Sequence, residues 1–183
     1  MKKNIGIVMG GYSSEINISL KSGNVVYNHL DRAKYNPFRI HILKEKWVAL
    51  DAKQNEYPIN KNDFSFIQNE ILVTFDCVFN AIHGAPGENG QLLAYFNLIN
   101  LKHTSAPFYQ MALTFNKRDT LSAVKAYGIK TATSIYLNKC AKINLDYIIS
   151  TVGLPCFIKP NNTGSSYGIS KVHTKNEILP ALE

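Results

Sequence analysis

Arginine, cysteine and tryptophan are scarce in this sequence. Arg32, Arg39 and Arg118 are the only arginines among 20 basic residues, so the net charge of +7 rests on lysines dispersed along the chain. No dense basic stripe or recognition motif results, which argues against a nucleic-acid partner, while a mild positive field still draws an anionic ligand such as a nucleotide. The three cysteines, Cys77, Cys140 and Cys156, stand far apart, two of them inside apolar runs. That usage excludes a disulfide framework and a thiolate metal centre and fits a reduced, cytoplasmic compartment. Long apolar runs are missing too: none reaches membrane-spanning length, and the run after Met1-Lys2-Lys3 breaks at Gly10-Gly11, too soon for a signal-peptide core. Repeats and low-complexity tracts are absent. With 183 residues, 45% of them hydrophobic, the chain can bury a sizeable core in one or two domains.

What is present is an alternation of strand-like and helix-like segments. Lys3–Met9 is an apolar run ending in Gly10-Gly11, and Ile16, Leu20, Val25 and Leu30 give Ser14–Leu30 helical spacing. Phe38–Leu43, Trp47–Leu50 and Phe75–Ile82 read as strands, Leu92–Leu101 as a helix and Leu101–Thr104 as a short strand. This order predicts an α/β fold with an open, mostly parallel, Rossmann-like sheet of the doubly wound kind, whose functional loops lie at the carboxyl ends of strands. The texture changes around Ser105–Pro107, which places a domain boundary between 104 and 105. In the second part, 105–183, a helix is expected over Met111–Tyr127, strands over Thr131–Leu137 and Cys156–Lys159, and a helix over Ile143–Val152. Thr174-Lys175-Asn176-Glu177 has capping-box spacing, with Pro180 set to delay or bend the helix it announces.

Three loops carry chemistry. The segment 159–168, Lys-Pro-Asn-Asn-Thr-Gly-Ser-Ser-Tyr-Gly, lies between two short apolar runs and reads as a hairpin loop able to clamp phosphate. Lys159, the hydroxyls of Ser165 and Ser166, and backbone N–H groups freed by Gly164 and Gly168 supply the donors. Without a ligand it would be an ordinary Gly/Ser/Asn loop. Glu15, after Gly10-Gly11-Tyr12-Ser13-Ser14, stands at a helix start where the dipole and free N–H groups favour an ionised carboxylate able to hold an ammonium group. Its plain alternative is a dipole partner behind a Ser13 or Ser14 cap. His83 ends a strand before Gly84-Ala85-Pro86-Gly87-Glu88-Asn89-Gly90, a loop suited to pressing on a ligand, and its imidazole can donate or accept one hydrogen bond. Glu88 and Asn89 read as caps of the next helix. Lys117, in Asn116-Lys117-Arg118-Asp119, reads either as a second phosphate lysine or as a solvated helix residue.

Taken in order, GGYSSE, HGAPGENG and FIKPNNTGSSYGISKV resemble the N-terminal half of the D-alanine:D-alanine ligases of the ATP-grasp superfamily. The resemblance covers the whole chain. It implies a pre-ATP-grasp domain over 1–104 followed by an incomplete first lobe of the ATP-grasp fold over 105–183. It also implies an ATP-dependent carboxylate–amine ligation through an acyl phosphate, joining two D-alanines for peptidoglycan. By this resemblance Glu15 binds the amino group of the first D-alanine and His83 lies beside its carboxylate. Lys117 and Lys159 contact the α and β phosphates of ATP, Ser166 and Gly164 cover them, and Ser165 hydrogen-bonds to Glu15. Relatives often carry charge at Asn161-Asn162-Thr163, so these residues are assigned no role. The family also uses magnesium or manganese, and beyond Ser166 only Glu177 and Glu183 are acidic, so its ligands are expected outside this chain. The reading is therefore an N-terminal fragment, inactive alone, of a homodimeric ligase. A D-alanine:D-lactate or other ATP-grasp ligase, or a non-catalytic stand-alone domain, are the alternatives.

Overall fold

A computed structural model describes residues 2–183, which divide into two compact units, one up to Ala112 and one spanning Leu113–Glu183. The division falls inside a helix, downstream of the 104/105 position expected from the change in texture.

The first unit is built on β1 (Lys3–Gly10), α1 (Ile16–His29), β2 (Tyr35–Ile42), β3 (Trp47–Leu50), β4 (Glu56–Pro58), β5 (Phe66–Gln68), β6 (Ile71–Val73), β7 (Cys77–Asn80), α2 (Gln91–Leu98) and α3 (Phe108–Phe115), the last crossing into the second unit. Five strands form an open sheet in the order β4-β3-β2-β1-β7. β1 runs parallel to both neighbours, whereas β3 and β4 add antiparallel strands at one edge. The sheet is thus mixed, with its parallel part at the centre. The cause is local: only Leu43–Lys46 separates β2 from β3, too short for a parallel crossover and closed by Leu43 N–H donating to the Lys46 carbonyl at 2.9 Å.

β1 reads as an unbroken apolar run because both of its faces are covered. Ile7, Val8 and Met9 are all fully buried. Val8 faces an aromatic-rich core in which Phe64, Phe66 and Phe96 pack with Phe38, Trp47, Phe75 and Tyr95, and Gly6 lies against the Phe75 ring. On the opposite face Met9 meets α1 at Gly23, where an added Cβ would lie 2.7 Å from the Met9 Cβ. Helix and strand approach this closely only because Gly23 has no side chain. Leu101–Thr104 contributes a single parallel bridge, His103 to Val78, rather than a strand. The hairpin β5–β6 was not foreseen; its turn residues Asn69 and Glu70 both have positive φ, which gives a two-residue turn without glycine.

The second unit contains α4 (Lys117–Ala126), α5 (Leu145–Val152), β8 (Cys156–Ile158), β9 (Ser170–Val172), a 3-10 turn (Lys175–Glu177) and α6 (Ile178–Leu182). β8 and β9 form the expected antiparallel hairpin, and Ile148, Cys156, Val172 and Ile178 form its core. The single helix expected over Met111–Tyr127 is two helices, because Asn116 breaks it: the backbone is extended there and its side chain accepts from Asp119 N–H as a cap. Thr131–Leu137 forms no strand. Glu177 accepts from the Thr174 hydroxyl at 2.8 Å and from His173 N–H at 2.9 Å, and the helix begins only at Ile178, so Pro180 falls within its first turn.

Gly23→Ala tests the close approach of α1 to β1. Alanine is the better helix former by about 1 kcal/mol, but overpacking a filled interior costs about 1–3 kcal/mol, so the variant should unfold at lower denaturant than the wild type. An unchanged or higher midpoint would contradict the contact.

Candidate functional site

β1 leads through α1 to β2 on one side, and β7 lies on the other, so the carboxyl ends of β1 and β7 flank the point where strand order reverses. Open α/β sheets bind ligands at such a crevice. The turn after β1 carries Glu15 and the turn after β7 carries His83. Gly11, at φ +98°, lets the first turn lie against the second: an added Cβ would stand 2.7 Å from the Ile82 side chain and 3.0 Å from the Ala85 carbonyl. Tyr12 N–H donates to that carbonyl at 2.7 Å.

Two serine hydroxyls then tie Glu15 to His83. Glu15 N–H donates to Ser13 Oγ at 3.2 Å, and that hydroxyl donates to the His83 carbonyl at 3.1 Å. In the other direction His83 N–H donates to Ser19 Oγ at 2.9 Å, and Ser19 donates to the Glu15 carbonyl at 3.2 Å. A third serine, Ser22, bonds the His83 ring at Nε2, 3.2 Å away. Glu15 occupies the cap position of α1, but its carboxylate makes no capping bond. The residue is only 4% exposed, and its buried Oε1 has no hydrogen-bond partner. A buried carboxylate oxygen without a donor is costly, and a ligand ammonium would satisfy it. Glu88 folds back to accept from Gly84 N–H at 2.6 Å, closing its own loop, while Asn89 accepts from Gln91 N–H at 3.3 Å at the start of α2.

The second unit brings together Lys117, Lys159 and the loop 159–168. Lys117 is the first residue of α4 rather than mid-helix, and Lys159 is exposed just beyond β8. Partial burial, and then the charge of Lys159, push the Lys117 ammonium below its ordinary pKa. Two mutually repelling cations of this kind favour an anion between them. The Lys159 ammonium lies 5.4 Å from the centre of the Phe157 ring. Lys117 Nζ donates to the carbonyl oxygens of Thr163 at 2.6 Å and Asn161 at 3.3 Å. A cavity of about 400 Å³ opens beside Lys117, Lys159, Pro160 and Asn161, walled further by apolar side chains that include Ile135 and Ile158.

Within the loop, the left-handed backbone falls on Ser165, Ser166 and Gly168, and not on Gly164. Ser165 and Ser166 are exposed. Two serines in a conformation that favours glycine mark a strained loop tip. Among the described residues, no three His, Cys, Asp or Glu side chains stand together as a metal site, so these residues by themselves do not form a magnesium or manganese centre. No described helix is long and apolar enough to cross a membrane.

The family model described as D-ala D-ala ligase N-terminus matches residues 4–106, and the one described as D-ala D-ala ligase C-terminus matches 123–183. The chain belongs to the D-alanine–D-alanine ligase family. It is similar to a D-alanine–D-alanine ligase of Flavobacterium johnsoniae, at 63% identity over 99% of this chain and 56% of that protein. It also resembles the crystal structure of D-alanyl-alanine synthetase A from Vibrio cholerae, with TM-score 0.85 and 27% identity over 99% of this chain and 55% of that one. A Bacillus anthracis D-alanine–D-alanine ligase complexed with ATP shares the fold, with TM-score 0.71 and 24% identity over 98% of this chain and 53% of that one. The chain therefore spans about half the length of the relatives it matches.

Set beside the ligase resemblance, the residues expected to act fall into two groups: Glu15 and His83 in the first unit, Lys117, Lys159, Gly164, Ser165 and Ser166 in the second. Sequence reasoning passed over Ser19 and Ser22, although their spacing of four and seven from Glu15 puts all three on one helix face. It also left Asn161 without a role. Asn161 accepts from Arg118 N–H at 2.9 Å through its side chain and donates to Asn116 Oδ1 at 2.9 Å, which latches the loop to the start of α4. No residue pattern announced that latch, since it joins positions more than forty apart.

Because Lys117 holds its proton less tightly folded than unfolded, the unfolded chain carries more protons between that lowered value and 10.5. Stability contributed through this residue therefore rises with pH across that window. The wild type should gain on Lys117→Met in denaturation midpoint as pH rises from neutral into the alkaline range; a constant difference would contradict the assignment.

Proposed function

We propose that this chain supplies the first-substrate site and part of the nucleotide clamp of an ATP-dependent ligase that joins two D-alanines. The observation that carries the reading is the buried, unpartnered Glu15 oxygen beside His83 at the sheet's switch point, in a chain of the D-alanine–D-alanine ligase family. An amino acid zwitterion needs an anion for its ammonium and a donor for its carboxylate, and Glu15 and His83 offer one of each. ATP supplies the phosphoryl group that activates the first substrate's carboxylate, and Lys117 and Lys159 would hold its α and β phosphates.

The protein's own contribution to phosphoryl transfer is positive charge set in place beforehand, because the transferred group shifts charge among its oxygens and asks for little covalent chemistry. The lysine pair meets that need. Its two ammonium groups raise each other's energy when no anion is present, so binding phosphate relieves a repulsion as well as forming hydrogen bonds. The loop 159–168 would cover the nucleotide phosphates, with Gly164 and Ser166 against them, and so keep water from the transferring group. In this reading the enzyme works in the cytoplasm as a homodimer, and magnesium or manganese is held by residues other than those described.

D-alanine-dependent phosphate release by the intact protein tests the reading. Lys159→Ala should lower turnover by ~10²-fold or more, as expected for a group that stabilises transferring charge. Glu15→Gln should chiefly raise KM for the first D-alanine. ATP hydrolysis with no dependence on D-alanine, or a Lys159→Ala variant of near wild-type turnover, would overturn the assignment. Supplying D-lactate in competition separates a ligase with a different second substrate.

A further inference from the structure

His83 is held at three points by serines. Ser13 and Ser19 bind its backbone carbonyl and N–H, so the main chain cannot shift and the ring keeps only its own torsions. The ring's sole hydrogen bond among the described residues runs from Nε2 to Ser22 Oγ at 3.2 Å, and Nδ1 has no protein partner. Ser22 reaches the ring because Gly23, next to it, allows α1 to settle on Met9.

The hydroxyl protons of the three serines have different fates. Ser13 gives its proton to the His83 carbonyl and Ser19 to the Glu15 carbonyl four residues back. Among the described residues, Ser22 makes no such bond to the preceding turn, the usual acceptor for a helical serine, and its only partner there is His83 Nε2. At this half-buried position, accepting from Nε2–H would leave the serine proton without a protein acceptor, whereas donating to Nε2 uses it. Which ring nitrogen of a histidine carries the proton is set by the bond the other makes.

We infer that Ser22 is a positioning residue: its hydroxyl donates to Nε2, holds the imidazole as the Nδ1–H tautomer, and leaves that N–H as a donor for a ligand carboxylate. The ligand part rests on the proposed D-alanine site; the tautomer part does not. Glu15, Ser19 and Ser22 then form one functional stripe on α1, the first binding the ligand's ammonium and the third preparing the group that meets its carboxylate.

Nitrogen NMR of the intact protein with labelled histidine tests the tautomer directly. The wild type and Ser22→Thr, which keeps the hydroxyl, should show His83 as Nδ1–H, and Ser22→Ala should show mixed or Nε2–H signals. An Nε2–H ring in the wild type, or an Nδ1–H ring that persists in Ser22→Ala, would overturn the inference. In D-alanine-dependent turnover Ser22→Ala should raise KM for the first D-alanine by ~10-fold, about the value of one hydrogen bond to a charged group, with a smaller change in kcat and recovery in Ser22→Thr. A tautomer shift with KM unchanged would uphold the role of Ser22 and instead remove His83 from the proposed substrate site.

Discussion

The parallel pairing of β1 with β7 places Val8 beside Asn80, the last residue of β7 and two residues short of the end of β1 at Gly10. The turns that follow are forced together, and every contact of the first site depends on that. Gly11 gives the approach its closeness, Tyr12 bonds across it, and the hydroxyls of Ser13 and Ser19 convert it into a closed circuit through the backbones of Glu15 and His83. A one-residue slip in the register would move those hydroxyls away from both partners and turn the Val8 face out of the aromatic core.

Under the proposed function the two units await a ligand by opposite means. In the first, a carboxylate is buried with one oxygen unsatisfied, a cost carried by the surrounding packing of β1 and α1. In the second, two lysines stay partly solvated and repel each other, and one of them, Lys117, is meanwhile occupied by the carbonyls of Asn161 and Thr163. Buried charge suits a small zwitterion that must be oriented at both ends. Solvated, movable charge suits a polyanion whose oxygens change during reaction.

Much of this was legible in the residue order. The glycines where β1 ends, the histidine in the turn after β7, and Lys117 and Lys159 could all be picked out, because each is a residue type with few reasons to stand where it does. The helix break at Asn116 was missed, since its neighbours Ala112, Leu113 and Leu121 keep helical spacing through it; only the cap on Asp119 N–H interrupts them. Residue order predicted a mostly parallel sheet without assigning a direction to Trp47–Leu50 and without a strand at Glu56–Pro58, because apolar runs report strand and not direction. The length of the Leu43–Lys46 connection held that information. Ser165 and Ser166, not Gly164, take the left-handed conformation, against their intrinsic preference.

Residue type and order alone determined the chemistry available: one carboxylate and one imidazole at strand ends, two lysines and a hydroxyl-bearing loop. Those groups are short-range in their action, and local spacing suffices to propose them. Tertiary structure decided which groups lie together, that Glu15 is buried with an oxygen unpaired, that three serines on one turn and one helix face grip His83, and that Asn161 latches the loop 159–168 to the start of α4. Each of these joins residues some forty to seventy positions apart, or depends on burial. Such distances are set by sheet register and packing, which no local pattern encodes.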